Sequence, residues 1–127
     1  MGYLVDTYGL IEWFRNNNQN YKKYFENPEK LYISPLILME FYFALYHEYG
    51  ESQTEFLREI ILKNFKLIKI NQAQLIESAK FRSKMYKKKK KMSYTDTTIY
   101  ILAKEHNIKV LTGDEHFRNL DNVAFVK

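Results

Sequence analysis

Short apolar runs alternate with helix-patterned segments along the whole chain, and this alternation restricts the fold more than any other feature. Tyr3 to Asp6 is a brief apolar run ending in an acid and predicts a first strand. Thr7 to Arg15 follows, with Leu10, Ile11 and Phe14 at helical spacing. Asn16 to Asn20 is a polar break, and Tyr21 to Phe25 has room for one or two helical turns before Asn27-Pro28 ends them. Lys30 to Ser34 predicts a second strand. Ser34-Pro35 has the form of an N-cap followed by proline at the first helical position. That helix should run to Tyr49, with Gly50 just past its end. Glu51 to Phe65 sets Phe56, Leu57, Ile60 and Ile61 on one face of another helix.

Lys66 to Ile70 predicts a short third strand, and Asn71 a cap for a helix from Gln72 to about Lys88. Ser93 caps a helix through His106 that Asn107 closes. Ile108 to Thr112 and Asn122 to Val126 are the last strands, with Gly113-Asp114 turning between them. Strands alternating with helices predict an α/β fold with a mainly parallel sheet of about four to five strands. The 127 residues make one domain, 1–127, without repeat or linker.

Composition narrows the function. Hydrophobic residues at 46% exclude a disordered chain. The absence of cysteine excludes a disulfide scaffold, a thiolate zinc site and a Cys nucleophile, and fits a reducing cytoplasm. No segment is long and apolar enough to span a bilayer, and MGYLVDTYGL lacks the basic start of a signal peptide. Cytoplasmic residence is the expectation. The net charge of +5 favours polyanions, nucleic acid first. Lys87, Lys88, Lys89, Lys90 and Lys91 are the obvious phosphate contacts. They read equally as a solvated helix end, where lysine favours the dipole. Arg15, Arg82 and Arg118 are weaker candidates. Most tyrosines, including Tyr42, Tyr46 and Tyr100, fall at helical spacing among apolar neighbours and read as core or dimer contact rather than as base-stacking groups.

The acids carry the chemistry. Asp6 ends the first strand and Asp114 follows the fourth, and ligand sites of open parallel sheets lie at the carboxyl ends of strands. Each is also a plausible helix cap. Glu40 is the one residue of Leu36 to Leu45 that is not apolar. A helix apolar all round is expected to be buried, and a buried carboxylate needs a cation, either a salt-bridge partner from elsewhere or a metal ion. Asp96 stands at capping-box spacing after Ser93 and is the one acid its helix offers the crevice. Gathering these four costs about 4 kcal/mol per pair at about 4 Å with a dielectric near 20. Hard oxygen donors without Cys or clustered His select Mg²⁺ or Mn²⁺ over Zn²⁺. His47, His106 and His116 form no zinc motif. His116 reads as a surface residue beside Asp114, and Glu12 and Glu115 are nearby acids without an assigned role.

Four blocks in order, D-T-Y-G-L-I from Asp6, I-S-P-L-I-L-M-E-F-Y-F-A-L from Ile33, S-Y-T-D from Ser93 and L-T-G-D-E-H-F from Leu111, resemble the PIN domain, in particular the VapC-like toxin ribonucleases. The resemblance covers essentially the whole chain. It implies a three-layer α/β/α sandwich and a metal-dependent endoribonuclease whose catalytic and metal-holding quartet is Asp6, Glu40, Asp96 and Asp114. Thr112 matches the family's supporting hydroxyl. The resemblance also implies an RNA substrate, a cognate antitoxin and a homodimer. Tyr8 departs from the pattern, because many members carry Asn or Ser there. Two rival readings stand beside this one. A phosphoacceptor receiver domain would want an acid where the third strand ends in Ile70-Asn71. A non-catalytic binding module needs a cleavage assay to separate; within the nuclease class, the alternative is an RNA-processing enzyme that is not a toxin.

Overall fold

Strands covered on both faces are apolar without alternation, and the central strands here follow that rule. Leu4, Val5, Val110 and Leu111 are wholly buried. In a computed structural model describing residues 1–127, these residues lie in the adjacent strands β1 (Tyr3–Val5) and β4 (Lys109–Thr112). With β2 (Leu31–Ile33), β3 (Lys66–Leu67) and β5 (Val123–Phe125) they form one sheet in the order β3-β2-β1-β4-β5, every pair parallel. From β1 the chain moves outward through β2 to β3, then returns to β4 on the other side. The change of direction falls between β1 and β4, and it is there that parallel sheets open a crevice at their carboxyl ends.

Five helices connect the strands: α1 (Thr7–Phe14), α2 (Lys22–Phe25), α3 (Pro35–Asn64), α4 (Gln72–Lys87) and α5 (Tyr94–Glu105). The pair α1 and α3 and the pair α4 and α5 each pack together, and both α1 and α5 contact β4. This is the predicted α/β/α arrangement. No helix is long and apolar enough to cross a membrane. The expected caps form. The Ser34 hydroxyl accepts the backbone N–H groups of Leu36 and Ile37, and Asn71 with Gln74 makes a reciprocal capping box. Gly50 interrupts α3 with φ of 79°, a left-handed value glycine adopts without strain, so two helices meet there as the sequence predicts. The lysine run ends α4 in a Schellman motif. Lys89 is left-handed, its N–H donates to the Tyr86 carbonyl, and the Lys90 N–H donates to that of Met85.

Two expectations need correction. The third strand does not reach Ile70: after Lys66–Leu67 the Ile68 N–H makes one more bond to the Ile33 carbonyl, and the chain then leaves the sheet. Both β3 residues are exposed at an edge, where little burial holds a longer strand. Nor is Leu36 to Leu45 buried on all sides. Ile37, Phe41 and Leu45 point into the core at four-residue spacing, whereas Met39 is 60% and Phe43 82% exposed. Glu40 is half-buried. Burial alone therefore does not demand a cation for it, and its observed partner is a neutral hydroxyl.

Candidate active site

Asp6 occupies the N-cap position of α1, yet its side chain caps nothing. The carboxylate is turned instead toward β4, where the Thr112 hydroxyl donates to Asp6 Oδ2 at 2.8 Å. The same hydroxyl oxygen accepts the Asp114 backbone N–H at 3.1 Å. One wholly buried threonine thus ties the carboxyl ends of β1 and β4 together. Between Thr112 and Asp114, Gly113 has no room for a side chain, since a Cβ there would stand 2.1 Å from the Val126 carbonyl oxygen and 2.6 Å from the Tyr8 ring. Tyr8 accordingly packs on this turn, with Lys127 Nζ 5.6 Å from its ring centre. The hydroxyl beside the acids comes from the preceding residue: Thr7 Oγ1 donates to Glu40 Oε1 at 2.7 Å, drawing Glu40 toward the end of β1.

Asp96 and Asp114 both keep their predicted capping bonds while facing each other. Ser93 and Asp96 form a capping box, with the Ser93 N–H 3.3 Å from Asp96 Oδ2. Asp114 Oδ1 accepts the His116 N–H at 2.9 Å and so caps the short turn at Glu115–Phe117. That turn swings the His116 ring back over the acids, with Nδ1 3.4 Å from Asp96 Oδ2 and 3.5 Å from Asp114 Oδ1. Donor atoms of Asp96, Asp114 and His116 lie within 4.8 Å of one another, and Asp6 and Glu40 stand outside this tightest set. The sequence placed His116 on the surface, and its side chain is indeed 53% exposed, but it also reaches the acids. The signal available was its position two residues beyond Asp114. Thr7 carries no signal in the sequence beyond directly following Asp6.

The charges are poorly compensated. No Lys or Arg pairs with Asp6, Glu40, Asp96 or Asp114, whereas the remaining aspartate, Asp121, lies beside Lys104. Burial raises the Asp6 carboxyl to about 7; the Thr112 hydrogen bond opposes this, and the Asp96 and Asp114 charges add to it. Asp96 is also raised, first by burial and then by Asp114, against the Ser93 backbone bond and His116. Carboxylates held this way favour the arrival of a cation. Oxygen donors with one imidazole and no thiolate fit a hard divalent ion such as Mg²⁺ or Mn²⁺. Glu12 and Glu115 are engaged elsewhere. Glu12 accepts from the Asn16 and Asn18 side chains. Glu115 binds Arg118 and Lys127, which hold it near 2.

Replacing Thr112 with valine keeps its shape and removes both bonds. The Asp114 backbone N–H then loses its acceptor and the buried Asp6 carboxylate its donor, so a loss of about 1–3 kcal/mol is expected. A urea titration of the metal-free protein measures it.

The lysine run divides. Lys90 and Lys91 line a hollow with Ser93 and His116, directly beside the acids, while Lys87 and Lys88 lie outside it. Tyr42 and Tyr46 stack on each other at the exposed side of α3, and Tyr100 is buried against Phe81.

Among solved structures of similar fold, DNA-bound VapBC from Salmonella typhimurium aligns with a TM-score of 0.83 and 16% identity, over 99% of this chain and 97% of that one. A toxin–antitoxin complex from Klebsiella pneumoniae gives 0.76 and 24%, over 97% and 96%. The Sarcin-Ricin loop cleaving toxin VapC20 from Mycobacterium tuberculosis gives 0.79 and 15%, over 96% and 97%. No curated protein sequence matches the chain. The PIN domain family model matches residues 3–123. With that match covering β1 to β4, the five helices and all four acids, the chain belongs to the PIN domain family.

Proposed function

We propose that this protein is a divalent-metal-dependent endoribonuclease and the toxin of a toxin–antitoxin pair. The observation that carries the reading is the set of acids without basic partners at the β1–β4 crevice of a PIN domain. Asp6, Glu40, Asp96 and Asp114 are the catalytic groups and would hold Mg²⁺ or Mn²⁺. Thr112 fixes Asp6 and the Asp114 turn, and the Ser93 N–H fixes Asp96, so the carboxylates are oriented before substrate arrives. A bound divalent ion supplies an acidified water and offsets phosphate charge. Carboxylate oxygens of the cluster would accept a hydrogen bond from a water and orient it opposite the leaving 3′-oxygen. Attack by water would form a P–O bond as the P–O3′ bond breaks. One proton would pass from the water to a carboxylate of the cluster and one would be taken up from solvent by the leaving 3′-oxygen, leaving 5′-phosphate and 3′-hydroxyl ends. Lys90 and Lys91 stand where flanking phosphates would pass.

The toxin assignment draws on the toxin–antitoxin complex from Klebsiella pneumoniae, in which the matching chain is covered to 96% by this one, and on the Sarcin-Ricin loop cleaving toxin VapC20. The reading adds a cognate antitoxin, a homodimer and cytoplasmic residence, with residues 1–127 as one nuclease domain. The exposed apolar surface of Met39, Phe43 and Tyr46 on α3 offers a protein contact. The test is incubation of purified protein with end-labelled RNA. Cleavage should be absent in chelator, return with Mn²⁺ or Mg²⁺, and leave 5′-phosphate ends. No cleavage with either metal, across structured and unstructured RNAs, would reject the assignment.

A further inference from the structure

Tyr86 and Tyr94 are exposed to 73% and 72%, and isolated exposed rings need no explanation. What lies between these two does. Arg82 Nε donates to the Met92 carbonyl at 3.0 Å, and its guanidinium sits 4.1 Å from the centre of the Tyr94 ring. The arginine is thereby anchored, and it covers one face of Tyr94 while the ring remains mostly in solvent. Arg82 and Tyr86 also line two adjoining hollows. One, of about 290 Å³, reaches Lys90, Lys91 and His116; the other, of about 400 Å³, ends at Tyr94. The two hollows, which share Arg82 and Tyr86, together make a groove between His116, at the acid cluster, and the exposed Tyr94 ring. Arg82, Lys90 and Lys91 line it, and no carboxylate does. Lys90 Nζ is tied to the Arg118 carbonyl at 3.0 Å, and Lys91 stands exposed in the groove wall.

We infer that this groove is a single-strand subsite in which a nucleobase flanking the cut phosphate stacks on Tyr94 while Lys91 meets a backbone phosphate. The polymer's identity rests on the ribonuclease reading; the stacking site rests on Arg82, Tyr86 and Tyr94. Cations along the wall and an aromatic face at its end are what single strands require, because only an unpaired base offers its π-face. Arg82 holds the ring in place, so little side-chain freedom is lost when a base arrives. A stacked base makes no demand on sequence, so the groove adds affinity at this step without choosing the base.

The experiment is a fluorescence titration with a short oligoribonucleotide carrying 2-aminopurine, run in chelator so that nothing is cut. Stacking quenches the probe. Tyr94→Ala is expected to weaken binding roughly tenfold, abolish quenching and leave the salt dependence unchanged. Lys91→Ala should keep the quenching and lower the slope of log affinity against log salt by about 0.7. Tyr94→Phe should restore what Tyr94→Ala loses. Tyr94 is exposed at the first position of α5, where alanine is a good helix former, and circular dichroism checks the fold. Wild-type affinity in Tyr94→Ala, or a loss accompanied by a shallower salt slope, overturns the stacking site. Cleavage in Mn²⁺ by a protein that never quenches the probe rejects the subsite and spares the ribonuclease. Quenching by a protein that never cuts RNA does the reverse.

Discussion

Asp6→Asn and Asp114→Asn are each expected to slow metal-dependent RNA cleavage more than about a hundredfold while the protein stays folded. The two substitutions remove charge and little else. Asn still accepts the Thr112 hydroxyl at position 6, and at position 114 it caps the Glu115–Phe117 turn as well as Asp does. What is lost is negative charge at the centre of the crevice, and a neutral amide is a far poorer ligand for Mg²⁺ or Mn²⁺. Glu40→Gln should cost less. Glu40 is half-buried where Asp6 is fully buried, and Gln keeps the bond from Thr7. Rates on labelled RNA, with melting curves for each variant, give the comparison. Full activity in folded Asp6→Asn or Asp114→Asn would remove the acid cluster from the chemistry.

The metal-free protein should also lose stability as pH rises, and metal should restore it. Asp6 ordinarily titrates at 3.8 and is raised to about 7 in the fold. Between those values the native state holds a proton that the unfolded chain has released, so stability falls as pH climbs from about 4 and levels off above about 7. At about 1.4 kcal/mol per pH unit, the loss is on the order of 4 kcal/mol. Asp96 is raised as well and adds to the same trend. Glu115, held near 2, acts in the opposite sense, but only below its ordinary 4.5, and its exposure keeps that contribution small. Thermal melts in chelator from pH 5 to 8 should show the decline, and Asp6→Asn should flatten most of it. Mn²⁺ should raise the melting temperature more at pH 8 than at pH 5, because it competes with the proton for the same oxygens. Equal slopes in wild type and Asp6→Asn would assign the effect elsewhere.

Much of this architecture could be read from the chain because its signals are local. Ser34-Pro35, Asn71 with Gln74, Ser93 with Asp96 and Gly50 act through bonds or backbone angles within a few residues, and each does what its position predicts. That Asp6 and Asp114 share a crevice is expected of acids at the carboxyl ends of parallel strands, whereas the order β3-β2-β1-β4-β5 depends on pairing between distant segments. The errors are non-local. Whether Leu36 to Leu45 is covered on one side or all round depends on how many elements surround it, and the run of apolar letters is the same in both cases. The length of β3 depends on having a neighbour on one side only. His116 lies near the acids in sequence, two residues beyond Asp114, but it is the three-residue turn at Glu115–Phe117 that brings its ring back onto them. Two exposed tyrosines gain meaning only from Arg82, set between them by the bond to Met92 across the end of α4.

Gly113 holds the least negotiable position near the crevice. Because a backbone oxygen at Val126 occupies the volume any β-carbon would need, neighbouring side chains cannot make way by changing rotamer. Substitution in this stretch is therefore expected in its flanks rather than at the glycine. Tyr8 can exchange for smaller groups, and Lys127 can vary in charge, without touching the peptide that aims Asp114. A lineage that changed the glycine itself would have to rebuild the final strand at the same time.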